Sequence, residues 1–311
     1  MPRKIADISG LAPPLRLSEK VFRLGTYHLP SFLIKGRLGC ALFEAGVSAT
    51  APVVLAQLKR MRIAPSRIRW LILSHAHSDH AAGQAGLMSG LKRATLLLSA
   101  LSAKHLQKPA TATAFAEEDA FTSAAVCRLL GQEAETPALT TESLLPAPWQ
   151  TIEAGQSLNL GGTRVEFLGT EGHVPGGLLA WLPAERLLLA SDSAGFSASG
   201  RIGFPLYFTS YSAYLENIKA LRGLKPQVLA LGHQDWFAGP DVGRYFARLL
   251  RYLKKEHAKT LSRAAAGETT QEQVRRLVGQ YYRDALTIYP CGVIAEACRY
   301  LVRRDLEAGP E

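Results

Sequence analysis

The chain has little cysteine: four residues in 311, at positions 40, 127, 291 and 298, with no Cys-x-x-Cys pair among them. That scatter excludes a disulfide framework and a cysteine zinc knuckle, and it suits a reducing cytoplasm. No run of eighteen uncharged apolar residues occurs, so no membrane-spanning helix is expected. The opening MPRKIADISGLAPPLRLSEK carries charges and Pro13-Pro14 where a secretory signal needs a continuous apolar core. Solenoid repeats and low-complexity tracts are absent as well. Acidic residues are the scarcer sign of charge, 26 against 36 Lys and Arg, leaving a net charge of +10. Much of the excess lies late, in RYFARLLRYLKKEHAK, VRRLVGQYYRD and RYLVRRD. Such helices can steer phosphorylated substrates, acidic acyl carriers or nucleic acid. The plainer reading, a solvated face of amphipathic helices, is preferred, and no nucleic-acid partner is expected.

What is present is a globular pattern of alternating strands and helices. VFRLGTYHLPSFLIKGRLGCALFEAG reads as short strands broken by Pro30, Gly36 and Gly39, and ATAPVVLAQLKRMRI as a helix. RIRWLILS and ATLLLS are apolar runs of strand length. A helix is expected over about 115–132, then a Pro- and Thr-rich loop, ETPALTTESLLPAP. The second half repeats the alternation with a Gly-Gly hairpin in QTIEAGQSLNLGGTRVEFLGT, a strand pair in GGLLAWLPAERLLLASD, a helix in YSAYLENIKALRGL and a strand in QVLALG. This points to α/β layers. After residue 240 three amphipathic helices follow without strand signal. We therefore expect an N-terminal extension (1–20), an α/β domain (21–238) and a helical C-terminal cap (239–311). The cap helices would equally support a homodimer.

Three of the eight histidines and an aspartate fall within six positions, His75, His77, Asp79 and His80, directly behind an apolar strand. In extended chain His75 and His77 share a face, while Asp79 and His80 project elsewhere as the chain turns into a helix. One turn can thus serve two neighbouring metal ions. Catalytic zinc takes three protein ligands plus water, so further donors are needed. His173 follows VEFLGT, Asp192 ends RLLLASD and His233 ends QVLALGH; each stands at the carboxyl end of an apolar strand, where α/β enzymes build sites. An accidental cluster or a helix cap would not bring three such partners. His28, His105 and His257 read as surface or core residues.

With these seven positions the chain resembles the metallo-β-lactamase superfamily over residues of about 20 to 235: its H-x-H-x-D-H motif matches His75, His77, Asp79 and His80, and its later ligands match His173, Asp192 and His233. The resemblance implies a four-layer αββα sandwich and two divalent metal ions. His75, His77 and His173 would hold one and Asp79, His80 and His233 the other, with Asp192 bridging. Zinc is the default, and iron or manganese fits the same donors. It further implies hydrolysis by a metal-bound hydroxide, with Asp79 as the catalytic orienting carboxylate. His77 departs from the Glu of flavodiiron reductases, and Asp192 from the Cys of many lactamases. Glu44 in ALFEAGVS stands where the family usually has Asp, as in the thioesterase-like branch that includes the quinolone signal response protein. The implied substrate is a small-molecule ester or thioester; a phosphodiesterase, or a regulatory binding protein with a slow or vestigial centre, are the alternatives. Candidate pocket residues are Tyr207, Phe208 and Tyr211 in FPLYFTSY, Trp236 and Phe237 in QDWF, and Tyr289 before the last helix.

Overall fold

The computed structural model describes residues 14–133 and 139–310. Residues 1–13 of the expected extension and 134–138 of the Pro- and Thr-rich loop lie outside the described residues. The first sheet runs in chain order through β1 (Leu15–Arg16), β2 (Val21–Gly25), β3 (Pro30–Lys35), β4 (Cys40–Phe43), β5 (Ile68–Ile72), β6 (Thr95–Leu98) and β7 (Trp149–Thr151). Pairing is antiparallel from β1 to β4 and parallel from β4 to β7. Leu15–Arg16, inside the segment expected as an extension, thus already belongs to a sheet.

The second sheet takes up β8 (Ser157–Asn159), β9 (Arg164–Thr170), β10 (Gly177–Leu182) and β11 (Leu187–Ser191). A separate hairpin, β12 (Phe196–Ala198) and β13 (Arg201–Phe204), intervenes before β14 (Val228–Leu231) and β15 (Trp236–Ala238). Its order is β15-β14-β11-β10-β9-β8, with only β11 and β14 parallel.

Alternation along the strands builds the layers. In β4, Ala41 and Phe43 face the space between the sheets, whereas Cys40 and Leu42 face outward. In β10 the inward residues are Leu178, Ala180 and Leu182, and the outward ones Leu179 and Trp181. Both faces of these strands are buried, which is why they read as unbroken apolar runs. The outer face of the first sheet is covered by α1 (Thr50–Arg60), α3 (Gln84–Gly90), α4 (Ala100–Leu106), α5 (Pro109–Leu130) and α6 (Thr141–Leu144), with the short α2 (Ser78–Ala81) at its edge. The second is covered by α7 (Tyr211–Gly223), α8 (Pro240–Ala265), α9 (Thr270–Tyr281) and α10 (Cys291–Ala308). The result is the αββα sandwich with a helical C-terminal region. Leu188 and Leu231 of the second sheet share one buried cluster with Val242, Leu249 and Leu301 of the C-terminal helices.

One helix differs from expectation. α5 starts at Pro109 rather than near 115, and α4 precedes it. Pro109 occupies the first turn, where its missing N–H costs nothing, and the Ala- and Thr-rich stretch after it has too weak an apolar stripe to reveal helix from sequence. Among the described residues no helix is long and apolar enough to cross a membrane.

Candidate metal centre

The carboxyl ends of β5, β9, β11 and β14 lie along one edge of the sandwich, and each delivers side chains to one place. After β5, His77 remains extended (φ −93°, ψ 154°) before α2 begins, so His75 and His77 converge, with His75 Nε2 2.9 Å from His77 Nδ1. His173, three residues beyond β9, brings its Nε2 to 3.4 Å from His75 Nε2. Asp192 opens a short turn after β11, and its Oδ2 lies 3.4 Å from His173 Nε2 and 3.5 Å from His80 Nε2. Its Oδ1 lies 3.1 Å from His233 Nε2. Asp79 Oδ2 completes the arrangement, 3.6 Å from His233 Nε2 and 3.8 Å from His80 Nε2. Two donor groups result, His75–His77–His173–Asp192 and Asp79–His80–His233, each with its ligand atoms within 4.8 Å of one another. Asp192 touches both.

The donors fit a divalent cation. Nitrogens bound at zinc distance in a tetrahedron stand about 3.3 Å apart, close to the spacings in the first group. His80 Nε2 and Asp192 Oδ1 are buried and, despite the neighbouring site atoms, make no hydrogen bond of good geometry, a costly state that a cation beside them relieves. For four of the five histidines the inward-facing nitrogen is selected by an acceptor on the opposite side of the ring, as metal-binding imidazoles require. His75 Nδ1 faces Ser74 Oγ at 2.8 Å, His173 Nδ1 the Leu206 carbonyl at 2.6 Å, His80 Nδ1 Glu44 Oε2 at 3.2 Å and His233 Nδ1 the His28 carbonyl at 3.2 Å.

Electrostatics separate the two groups. Burial, with neighbouring imidazoles, holds His75 well below its ordinary pKa and takes His77 down to about 3; burial lowers His173 too. These rings stay neutral with lone pairs free. Burial alone would also lower His80 and His233, but the carboxylates of Glu44, Asp79 and Asp192 around His80 and of Asp192 and Asp79 around His233 raise both. Burial would raise Asp192, yet His233 and His80 hold it well below the usual carboxylate range. The second group is a nest of negative charge seeking a positive occupant.

The surrounding chain is built to this geometry. Glu44 follows β4 with φ +75°, Ser191 ends β11 with φ +45°, and Gln234 follows His233 with φ +33°. Such left-handed non-glycine residues carry strain and cluster at functional sites. A Cβ on Gly232 would meet Asp192 Oδ1 at 2.5 Å and His80 Cε1 at 3.0 Å, so only glycine fits there. The Asp192 turn is pinned by phenols of the helical layer: Tyr214 donates to the Asp192 carbonyl and Tyr245 to that of Ala194, each at 2.7 Å.

Of the aromatic residues singled out from sequence, the structure brings two to the donors. Phe208 lies against His173 and His77, with ring centroids 5.0 and 6.3 Å away, and Tyr289 places its hydroxyl 3.3 Å from His233 Nδ1. The others are corrected. Tyr207 is buried with its hydroxyl on Asp305, Tyr211 stacks on His257, and Phe237 stacks on Tyr245 in the helical core. Trp236 pairs with Ala230 in the edge strand and packs onto the inter-sheet core. Phe196, whose ring lies 5.3 Å from His233, and Ser74 were missed, and no local signal marks either.

The sequence model of the Metallo-beta-lactamase superfamily matches residues 27–233. The chain belongs to this superfamily. It is 24% identical over 216 residues to a hydroxyacylglutathione hydrolase from Acidiphilium cryptum, covering 68% of this chain and 67% of that protein. Among solved structures, a metallo-beta-lactamase family protein from Thermus thermophilus superposes with a TM-score of 0.65 at 21% identity, over 94% of this chain and 95% of that one. An archaeal superfamily protein from Sulfolobus tokodaii gives 0.56 at 18% identity, over 76% and 86%. As a superfamily member with this His and Asp cluster, the chain is of a metal-binding hydrolase type.

Proposed function

We propose that this superfamily member is a binuclear metal-dependent hydrolase of small acyl esters or thioesters. The observation that carries the reading is the pair of adjacent donor groups sharing Asp192. His75, His77, His173 and Asp192 would hold one ion, and Asp79, His80, His233 and Asp192 the other, zinc being the default for imidazole and carboxylate donors. The ions supply Lewis acidity and lower the pKa of water near neutral pH.

The chain's own groups do the rest. Asp79 is the most open of the site carboxylates, its side chain 16% exposed against 6% for Asp192, and it orients the attacking water and accepts its proton. The water oxygen bonds to the acyl carbon, the C–O or C–S bond breaks, and the departing oxygen or sulfur takes up the proton that Asp79 accepted. Phe208 walls the first group, and the exposed Tyr300 of α10 continues that wall with ring centroids 6.3 Å apart. Such a surface favours an apolar acyl group. Arg304, whose Nε donates to the Phe208 carbonyl, is paired with Glu307 rather than offered to a phosphate. The Acidiphilium relative, named for an acylated thiol, supports the same class.

The test is a screen of acyl thioesters, lactones and bis(p-nitrophenyl) phosphate with metal-replete protein and its His77→Ala variant. Thioester or ester turnover that His77→Ala abolishes with the fold retained is expected. Cleavage of the phosphodiester alone would overturn the acyl reading, and turnover unaffected by His77→Ala would overturn the metal-dependent one.

A further inference from the structure

Tyr289 is the point at which the C-terminal helical region enters the site. The residue is 8% exposed, and its hydroxyl sits 3.3 Å from His233 Nδ1, with Asp79 as its neighbouring carboxylate. The residue is held firmly. Its amide donates to the Leu286 carbonyl at 3.3 Å, Tyr282 donates its hydroxyl to the Tyr289 carbonyl at 3.1 Å, and Leu286 and Ile288 are buried in the helical core. Pro290 then leads directly into α10.

A supporting role toward His233 is already filled, because the His233 Nδ1 proton faces the His28 carbonyl. The phenol proton is therefore not needed on that ring, and the other polar group beside it is the carboxylate of Asp79. We propose that Tyr289 is a catalytic hydrogen-bond donor: its phenol, keeping its own proton throughout, donates to the acyl oxygen as negative charge builds on it. The helical region thereby completes the active site of the hydrolase proposed above, on which this inference rests. A preorganised neutral donor aimed at developing charge is worth on the order of a hundredfold in kcat.

The experiment compares metal-loaded wild type with Tyr289→Phe, which keeps the ring and its packing. For the best acyl substrate of the screen, kcat should fall on the order of a hundredfold with KM, metal content and Tm unchanged. Binding of benzoate, a carboxylate product mimic, measured by calorimetry on the same metal-loaded proteins, should weaken about tenfold, as for a lost hydrogen bond to a charged oxygen. A kcat within twofold of wild type, or a loss that tracks metal loss and is restored by added metal, would overturn the proposal. If wild type turns over no acyl substrate the hydrolase reading fails by itself, and equal benzoate affinity in the two proteins would still refute the donor role of Tyr289.

Discussion

Glu44 ties the two halves of the centre together, and removing its charge tests that coupling. The side chain is 1% exposed. One oxygen, Oε2, faces His80 Nδ1 at 3.2 Å and accepts from Ser74 Oγ at 3.0 Å. Ser74 in turn accepts from His75 Nδ1 at 2.8 Å and from Ser191 Oγ at 2.9 Å. A single carboxylate thus fixes His80 directly and His75 through one hydroxyl. The residue holds φ at +75°, a conformation costing a side-chain-bearing residue about 1–2 kcal/mol, so the chain tolerates strain where this carboxylate serves. In Glu44→Gln, the new NH2 meets two donors if it replaces Oε2. If it replaces Oε1, which is buried with no partner, it is left unsatisfied, costing about 1–3 kcal/mol. Losing such an outer partner lowers metal affinity roughly 10- to 100-fold, or about 1.4–2.8 kcal/mol per site. Competition against a chromophoric chelator resolves two stepwise affinities. Glu44→Gln should weaken both, the site of His80 more, whereas Ser74→Ala should weaken only the site of His75. Wild-type affinities in Glu44→Gln, or a Ser74→Ala loss confined to the site of His80, would refute the reasoning.

Acidification should empty the two sites in order. His80 and His233 have raised pKa values, so protons compete for their Nε2 atoms early as pH falls, whereas the lowered values of His75, His77 (about 3) and His173 keep the first group neutral; elemental analysis after stepwise dialysis from pH 7 to pH 5 should find one equivalent lost first, and its retention with loss of the first-group ion would contradict this. Gly232→Ala forces a methyl onto Asp192 and His80 and should lower affinity at both sites without unfolding the chain, which near-UV circular dichroism and the same chelator titration would check. His257→Ala strips the ring partner from buried Asp305, leaving it the hydroxyls of Tyr207, at 3.2 Å, and Thr260. Urea denaturation should show a loss of about 3–5 kcal/mol with metal content unchanged; a loss under 1 kcal/mol would mean that this pair is not a structural anchor.

Much of this molecule is legible in its sequence because strands buried on both faces leave contiguous apolar runs, and the donors stand immediately behind those runs. Local spacing also placed His75 and His77 on one face of extended chain. The supporting residues are less visible. Glu44 stands out only as an acid after a strand, since its partner His80 arrives from another strand. The aromatic candidates illustrate the limit most clearly. Tyr207, Phe208 and Tyr211 share one segment, yet only Phe208 points to the donors, because Tyr207 faces the opposite side of the chain and Tyr211 opens α7, and both tyrosines enter the helical core. Tyr289 lies 56 residues beyond His233, and only the packing of the C-terminal helices brings it home.

The most direct test of the account is the rate of acyl thioester hydrolysis by chelator-stripped protein as divalent metal is added back in measured equivalents. The account predicts no turnover without metal and full activity at two equivalents per chain, with Asp192→Ala unable to recover it. Turnover by the stripped protein, or saturation of activity with no metal bound, would contradict it.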